Sequence, residues 1–465
     1  MRRHNHPTAS KSQRSILDPP RTLPHRAGAN RQSKREPVGQ YAGLQTHIAR
    51  PAAACAFKVE IPRCAGGGSH DKLHTRTSLD PHFTLHAQMS NLRRLVITAR
   101  NARLVNDDGS SHIDLFAANG TLLLGHCHPA VVKVMAEQNE KVWITGRLDT
   151  DVRRKATQLV EDVIPDWLRV AGFYSTGMEA AEFALRAARV LTGRKDFVGF
   201  ARAMHGKSIA TAFLSWDSAH GHPVPGIVRL PFPTSEAAAG VIADLEPVLA
   251  RGTTAAVFLE AIQGSGGGAT VDAGFCDALN KMCRTHGTLL VVDEILTGFY
   301  RTGSLFFYSR FPLKPDIVLA GKCIGNGFPV STVLMRRDLE ITGAMLPFST
   351  YAENALACAA VVGTLREIAR LPVESMTAAI EATIGRHLAI SAPASFAVTL
   401  YGALCIINCS DSAVAERIAD ACYGNGVHIS QAGPMLRLLP PVTIEEDLLE
   451  NALVILDRAI RTSSA

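Results

Sequence analysis

The sequence predicts an α/β fold: a large domain on a mostly parallel sheet flanked by helices, with a smaller α/β domain from both chain ends. Three observations carry that expectation. Several short runs, among them V-A-G-F-Y at 170–174, A-A-V-F-L at 255–259 and L-L-V-V at 289–292, are wholly apolar, as strands buried on both faces are. Segments with helical character alternate with these runs, the order expected of a parallel sheet with crossover helices. The runs also stop abruptly at chemically capable side chains such as Glu260 and Asp293, where open α/β sheets bind their ligands.

A chain of 465 residues with 47% apolar composition can bury a large core and form one large unit or two domains. No run of eighteen apolar residues exists, so no transmembrane helix is expected. Residues 1–88 hold 14 Lys+Arg against 5 Asp+Glu, leaving 34 against 37 for the rest. The basic balance therefore belongs to the tail, and the body has no electrostatic support for binding nucleic acid. Cysteines at 55, 64, 127, 276, 283, 323, 358, 405, 409 and 422 form no C-x-x-C pair and no metal-ligand spacing. They read as free thiols in a reducing compartment, which places the protein in the cytoplasm, with no metal.

Residues 1–88 are rich in Arg, His, Pro, Ser, Ala and Gly, lack periodicity, and are predicted to be disordered. They read as a transit peptide for mitochondrial import, a binding arm, or sequence upstream of a true start at Met89, which is the favoured reading. From Leu95 the pattern is strand-like, with Asp107-Asp108-Gly109 as a hairpin turn. Gly125-His126-Cys127-His128 precedes Pro129 and a helix expected from Ala130 to Lys141. The run ending at Tyr174 leads into Ser175-Thr176-Gly177-Met178-Glu179 and a strong helix former. Thr176 with Glu179 fits a capping box, and a helix N-terminus after a strand is a ready anion site. Another strand is expected over Asp196–Ala201, then Met204-His205-Gly206. Helices are expected from Thr234-Ser235 to just before Gly252 and over 273–286. A strand ends at Glu260, before A-I-Q-G-S with Gln263 and Ser265.

The central stretch reads D-E-I-L-T-G-F-Y-R-T-G from Asp293, then P-D-I-V-L-A-G-K ending at Lys322. One strand end presents an acid and the next an amine in a small-residue loop. Pyridoxal 5′-phosphate (PLP) chemistry needs that pair: a lysine for the Schiff base and an acid that keeps the pyridine nitrogen protonated. Further on, Ala397–Asn408 is strand-like, 413–423 helical, Leu436–Leu439 a short strand containing Arg437, and Ile444–Ile460 an amphipathic helix.

These words, in this order, resemble the class III aminotransferases of PLP fold type I, the family of ornithine, acetylornithine, diaminobutyrate and 4-aminobutyrate transaminases. The resemblance spans about residues 95 to 460. It implies ping-pong transamination between an amino acid and a 2-oxo acid, with 89–140 and 369–465 forming the small domain and 141–368 the PLP-binding domain. It makes Lys322 and Asp293 catalytic and assigns the PLP phosphate to Gly177 and Met178, with Thr176 beside them among the cofactor-binding residues. Ile295 is expected on one ring face, and Met204 stands where the family carries a stacking aromatic, beside His205. Glu260 and Gln263 fall in the family's E-P-I-Q-G, with Ala261 in place of Pro, and Leu296 stands where many members carry Gln. Thr350 in T-Y-A-E-N-A-L-A resembles the threonine that binds the neighbouring subunit's phosphate, which implies a homodimer with shared sites. Arg437 resembles the arginine that grips the substrate carboxylate, and Ser265 replaces the glutamate that masks it in ornithine-type enzymes. Two rivals are an aminomutase like glutamate-1-semialdehyde aminomutase, which shares T-G-R as at Thr192-Gly193-Arg194, and a non-catalytic binding module. The intact Arg301-Thr302-Gly303 favours the transaminase.

Overall fold

In the computed structural model, residues 95–215, 224–342 and 349–463 are described, so the disorder expected of residues 1–88 lies outside them. The chain opens with three strands, β1 (Val96–Arg100), β2 (Arg103–Asn106) and β3 (Ser111–Asp114). Seven more follow: β4 (Leu168–Tyr174), β5 (Asp196–Phe200), β6 (Ile227–Leu230), β7 (Thr254–Leu259), β8 (Leu289–Glu294), β9 (Ile317–Gly321) and β10 (Ser331–Arg336). The last five are β11 (Ala397–Tyr401), β12 (Leu404–Asn408), β13 (Val427–His428), β14 (Ser430–Ala432) and β15 (Met435–Leu438).

The seven middle strands form the central sheet in the order β4-β10-β9-β8-β7-β5-β6. β5 through β9 run parallel, and β10 is antiparallel to both of its neighbours. β7, β8 and β9 are buried along their whole lengths, which is why apolar residues fill them, apart from Thr254 at the start of β7 and Asp293 and Glu294 at the end of β8. The helices Gly177–Thr192, Ala238–Ala250 and Ala273–His286 connect these strands. The second begins three residues after the expected Ser235, because Thr234 to Ala237 is spent on turn hydrogen bonds.

The chain ends supply two four-stranded sheets, β1-β2-β3-β13 and β11-β12-β15-β14. In the first, C-terminal β13 lies parallel to N-terminal β3. The strand-like stretch 397–408 is not one strand but a hairpin, β11 and β12 paired antiparallel around Gly402. Gly402 has φ +56°, and a Cβ there would lie 2.7 Å from the backbone of Thr302 and Gly303. Only glycine meets both demands, the left-handed backbone and the close approach.

Arg301 ties these parts together from a fully buried position. Its guanidinium donates to the carbonyls of Pro440 (2.6 Å), Gly120 (3.2 Å) and Ala403 (3.3 Å). The segment after Asp293 is thereby bonded to both the N-terminal and the C-terminal parts of the chain.

Candidate active site

Strand register decides which side chains meet. Leu259 pairs with Val292, and Asp293 with Leu319, so the carboxyl ends of β7, β8 and β9 lie side by side. They deliver Glu260, Asp293 and Lys322 to one edge of the sheet, as the strand-end reading expected.

Asp293 is buried at the end of β8. Its Oδ1 accepts from the backbone N–H of Ile295 (3.0 Å), and its Oδ2 lies 2.9 Å from His205 Nδ1. His205 is buried too and stacks edge-on against Phe258. It therefore stands behind Asp293 as a support for the carboxylate. Glu260 Oε2 accepts from the N–H of Met204 at 2.8 Å, which fixes the loop after β5 against β7. Burial, and then the charge of Asp293, hold the Glu260 carboxyl well above its usual range.

Lys322 follows β9 with a left-handed backbone, φ +44°, which a non-glycine residue adopts only when its surroundings enforce it. Burial pulls its amine below the usual lysine range; Arg437 pulls the same way, whereas Asp293 and Glu260 oppose it. A neutral amine is a nucleophile and a base, so the direction suits both uses.

The helix Gly177–Thr192 points its N-terminus into the same region. Thr176 caps it, its hydroxyl accepting from the N–H of Glu179 at 3.1 Å. The expected capping box is incomplete, because the Glu179 carboxylate takes the N–H of Ser175 (2.9 Å) and the hydroxyl of Ser349. Among the described residues the N–H groups of Gly177 and Met178 have no acceptor, leaving them free for an anion. A Cβ on Gly177 would come within 2.5 Å of Ile295 Cδ1, so the helix start and Ile295 form one tight wall.

The remaining candidates divide. Met204 is half-buried. Gln263 is buried and commits its amide to the carbonyl of Ala201 at 2.7 Å, which makes it an organiser of the loop 263–269. Ser265 is half-buried in that loop, and Leu296 packs so close to Gly264 that a Cβ there would lie 2.1 Å from it. Thr350 is exposed. His126, from the G-H-C-H stretch at 125–128, pairs with Asp114 at 2.8 Å, and among the described residues no cluster could hold a metal ion.

Arg437 lies on β15 with 9% exposure. Its Nη2 donates to Asn119 Oδ1 (3.1 Å) and to Ser430 Oγ (3.2 Å), and its Nε is buried without an acceptor. Both acceptors are neutral, and among the described residues no carboxylate pairs with it. Burial accordingly lowers its guanidinium's pKa from the usual value. Sequence reasoning missed Asn119 and Ser430. The N-G dipeptide at Asn119-Gly120 signals a turn but says nothing of a partner 318 residues away. Glu294 was missed as well. Buried next to Asp293, it accepts from the N–H groups of Phe307 (3.0 Å) and Tyr308 (2.6 Å), and burial pushes its carboxyl up to about 7.

Comparison with known proteins places the chain among transaminases. The family model described as aminotransferase class-III matches residues 85–460. An acetylornithine aminotransferase of Methanopyrus kandleri is 31% identical over 380 residues, 79% of this chain and 94% of that protein. A 2-aminoadipate transaminase of Pseudomonas putida is 30% identical over 394 residues, 78% of this chain and 94% of that one. Among solved structures, the ornithine aminotransferase of Toxoplasma gondii is similar with a TM-score of 0.71 and 26% identity, covering 81% of this chain and 92% of that one. A PLP-bound amine transaminase from an uncultivated Pseudomonas species, 22% identical with a TM-score of 0.75 over 84% of this chain and 99% of that one, shares the fold.

Proposed function

The chain belongs to the class III aminotransferases and is a PLP-dependent transaminase, and from that premise we propose that both of its substrates carry a carboxylate bound by Arg437. The observation behind this reading is a buried guanidinium held, among the described residues, only by neutral acceptors. A free arginine in a partly dehydrated pocket strongly favours a carboxylate, through two parallel hydrogen bonds of about 1.5–3 kcal/mol each. With Ser265 in place of an acidic residue, nothing in that loop masks the arginine, so it serves the amino donor and the oxo acid alike.

The residues fit the cofactor. The free N–H groups of Gly177 and Met178, beside the Thr176 cap, suit its phosphate; the glycine leaves space that a Cβ would fill. Asp293, held from both sides by Ile295 and His205, suits a protonated ring nitrogen, and Ile295 and Met204 suit the ring faces. When bound, PLP supplies an electron sink for the charge left on the substrate carbon. Lys322 would hold the cofactor through its amine, and once free that amine would take the proton from the substrate carbon, a use its lowered pKa suits. Asp293 would hold the ring nitrogen in its protonated form. Arg437 fixes the carboxylate, and so the direction of the bond that loses its proton.

Thr350 serves the cofactor phosphate of a second copy in a homodimer. Its exposure supports this, as does the exposure of Trp143, Leu148, Ile209 and Tyr351, each more than half accessible and suited to burial at an interface. The buried, unpaired cysteines favour the cytoplasm. Among the described residues no helix is long and apolar enough to cross a membrane.

The test is steady-state kinetics with glutamate, alanine, ornithine, 2,4-diaminobutyrate and simple primary amines, against 2-oxoglutarate and pyruvate. Carboxylate-bearing donors reacting at the adjacent amine should dominate, ornithine's side-chain amine should be a poor donor, and Arg437→Ala should lower kcat/KM for the good donors. Efficient turnover of carboxylate-free amines, or an Arg437→Ala variant unchanged with every donor, would overturn the reading.

A further inference from the structure

The hydrogen bonds of Arg437 hold more information than their number. Both come from one nitrogen, Nη2, which donates to Asn119 Oδ1 and to Ser430 Oγ. A guanidinium offers a carboxylate two edges for a bidentate grip, Nε with Nη2 and Nη1 with Nη2, and both include Nη2. Nη2 has two hydrogens and already donates to two acceptors. A carboxylate taking a two-point grip therefore competes with Asn119 and Ser430 for that nitrogen.

The two acceptors are not equally fixed. Ser430 is buried and sits on β14 directly opposite Arg437 in the strand register, so moving it disturbs the sheet. Asn119 is exposed. It lies in a run of four positive-φ residues, Ala117 (φ +47°), Ala118 (φ +50°), Asn119 (φ +61°) and Gly120 (φ +75°). Asparagine tolerates that conformation, but the two alanines are strained in it. Exposed and outside any paired strand, Asn119 is the easier of the two acceptors to move.

We propose that Asn119 is a neutral placeholder for the substrate carboxylate: it occupies Arg437 Nη2 between turnovers and is displaced when a carboxylate binds. Arg437 is thus never left without an acceptor, and because the acceptor is uncharged, displacing it leaves the attraction between arginine and substrate intact. An acidic side chain in the same place would compete as an ion and mask the arginine. Asn119 is in this sense a specificity-determining residue, one that sets how tightly a carboxylate is held. The inference rests on Arg437 being the carboxylate site.

The experiment is calorimetric titration of the PLP-loaded enzyme with glutarate, an unreactive dicarboxylate, for the wild type and for Arg437→Ala, Asn119→Gly and Asn119→Asp. Glycine and aspartate both tolerate a positive φ, so the turn is preserved, and circular dichroism melts confirm folding. Removing the competing acceptor in Asn119→Gly should tighten glutarate binding several-fold, while Asn119→Asp should weaken it by about tenfold or more. A residue that merely positioned Arg437 would give the opposite sign in Asn119→Gly. Weaker binding in that variant, or an unchanged affinity in Asn119→Asp, overturns the placeholder while leaving the arginine site standing, provided Arg437→Ala loses binding. Glutarate binding that survives Arg437→Ala overturns both.

Discussion

Gly177→Ala tests the wall between the phosphate-side helix and Ile295 most directly. In an unobstructed helix this change would stabilise by ~0.5–1 kcal/mol, since alanine loses less backbone freedom than glycine. Here the new Cβ would stand 2.5 Å from Ile295 Cδ1 and 3.1 Å from its Cγ2, closer than carbon atoms can approach. Such overpacking costs ~1–3 kcal/mol, so crowding outweighs the helix gain. The obstructing atoms are the far end of a side chain, so Ile295 is what moves, and it turns toward the space assigned to the cofactor ring. Binding PLP then requires forcing Ile295 back, so the same 1–3 kcal/mol reappears as a ~5- to ~150-fold loss of PLP affinity. The assay is PLP titration of the apo-protein by absorbance, alongside thermal melts of the apo form. A PLP affinity unchanged within about twofold, together with a raised melting temperature, would refute the reasoning.

Other changes probe separate parts of the chain. Lys322→Ala, loaded with PLP, should slow the half-reaction with an amino donor by ~10²–10⁴-fold in stopped-flow absorbance; a wild-type rate would exclude Lys322 as the proton carrier. Ala118→Gly should stabilise the protein by about 1 kcal/mol in urea denaturation by releasing left-handed strain, and a loss of stability would show that the turn is not strained. His387 contributes a pH dependence. Burial lowers its pKa, but hydrogen bonds to Asp457 (2.5 Å) and Glu450 (2.7 Å) outweigh that, so the net shift is upward. A raised folded-state pKa means its stabilisation is fully present below the unfolded value, near 6.5, and is lost as pH rises through the folded value. Melting temperatures should therefore fall more steeply above pH ~6.5 in the wild type than in His387→Gln, and identical slopes would remove this ion cluster from the account.

The sequence by itself determined whatever depends on neighbours along the chain. The apolar runs of β7, β8 and β9 became strands buried on both faces, the Thr176 cap formed where its pattern put it, and Asp293 and Lys322 stand at adjacent strand ends because each directly ends or follows its run. Those features follow from local periodicity, capping chemistry and the rule that parallel strands stop at the ligand edge. Tertiary packing decided the rest. The stretch 397–408 became a hairpin because Gly402 must pass against the Thr302–Gly303 backbone, and nothing nearby in the sequence shows that contact. Gln263 reads as a cofactor contact in its motif, and packing also gives its Nε2 a bond to the carbonyl of Ala201, while His205 stands behind Asp293. Arg437 is the clearest case. Its presence in a short strand is legible, but its partners are Ser430 across a strand pair and Asn119 at the other end of the chain. Hydrogen-bond partners that distant are chosen by how sheets and turns pack, so the charge state of the pocket is a property of the fold.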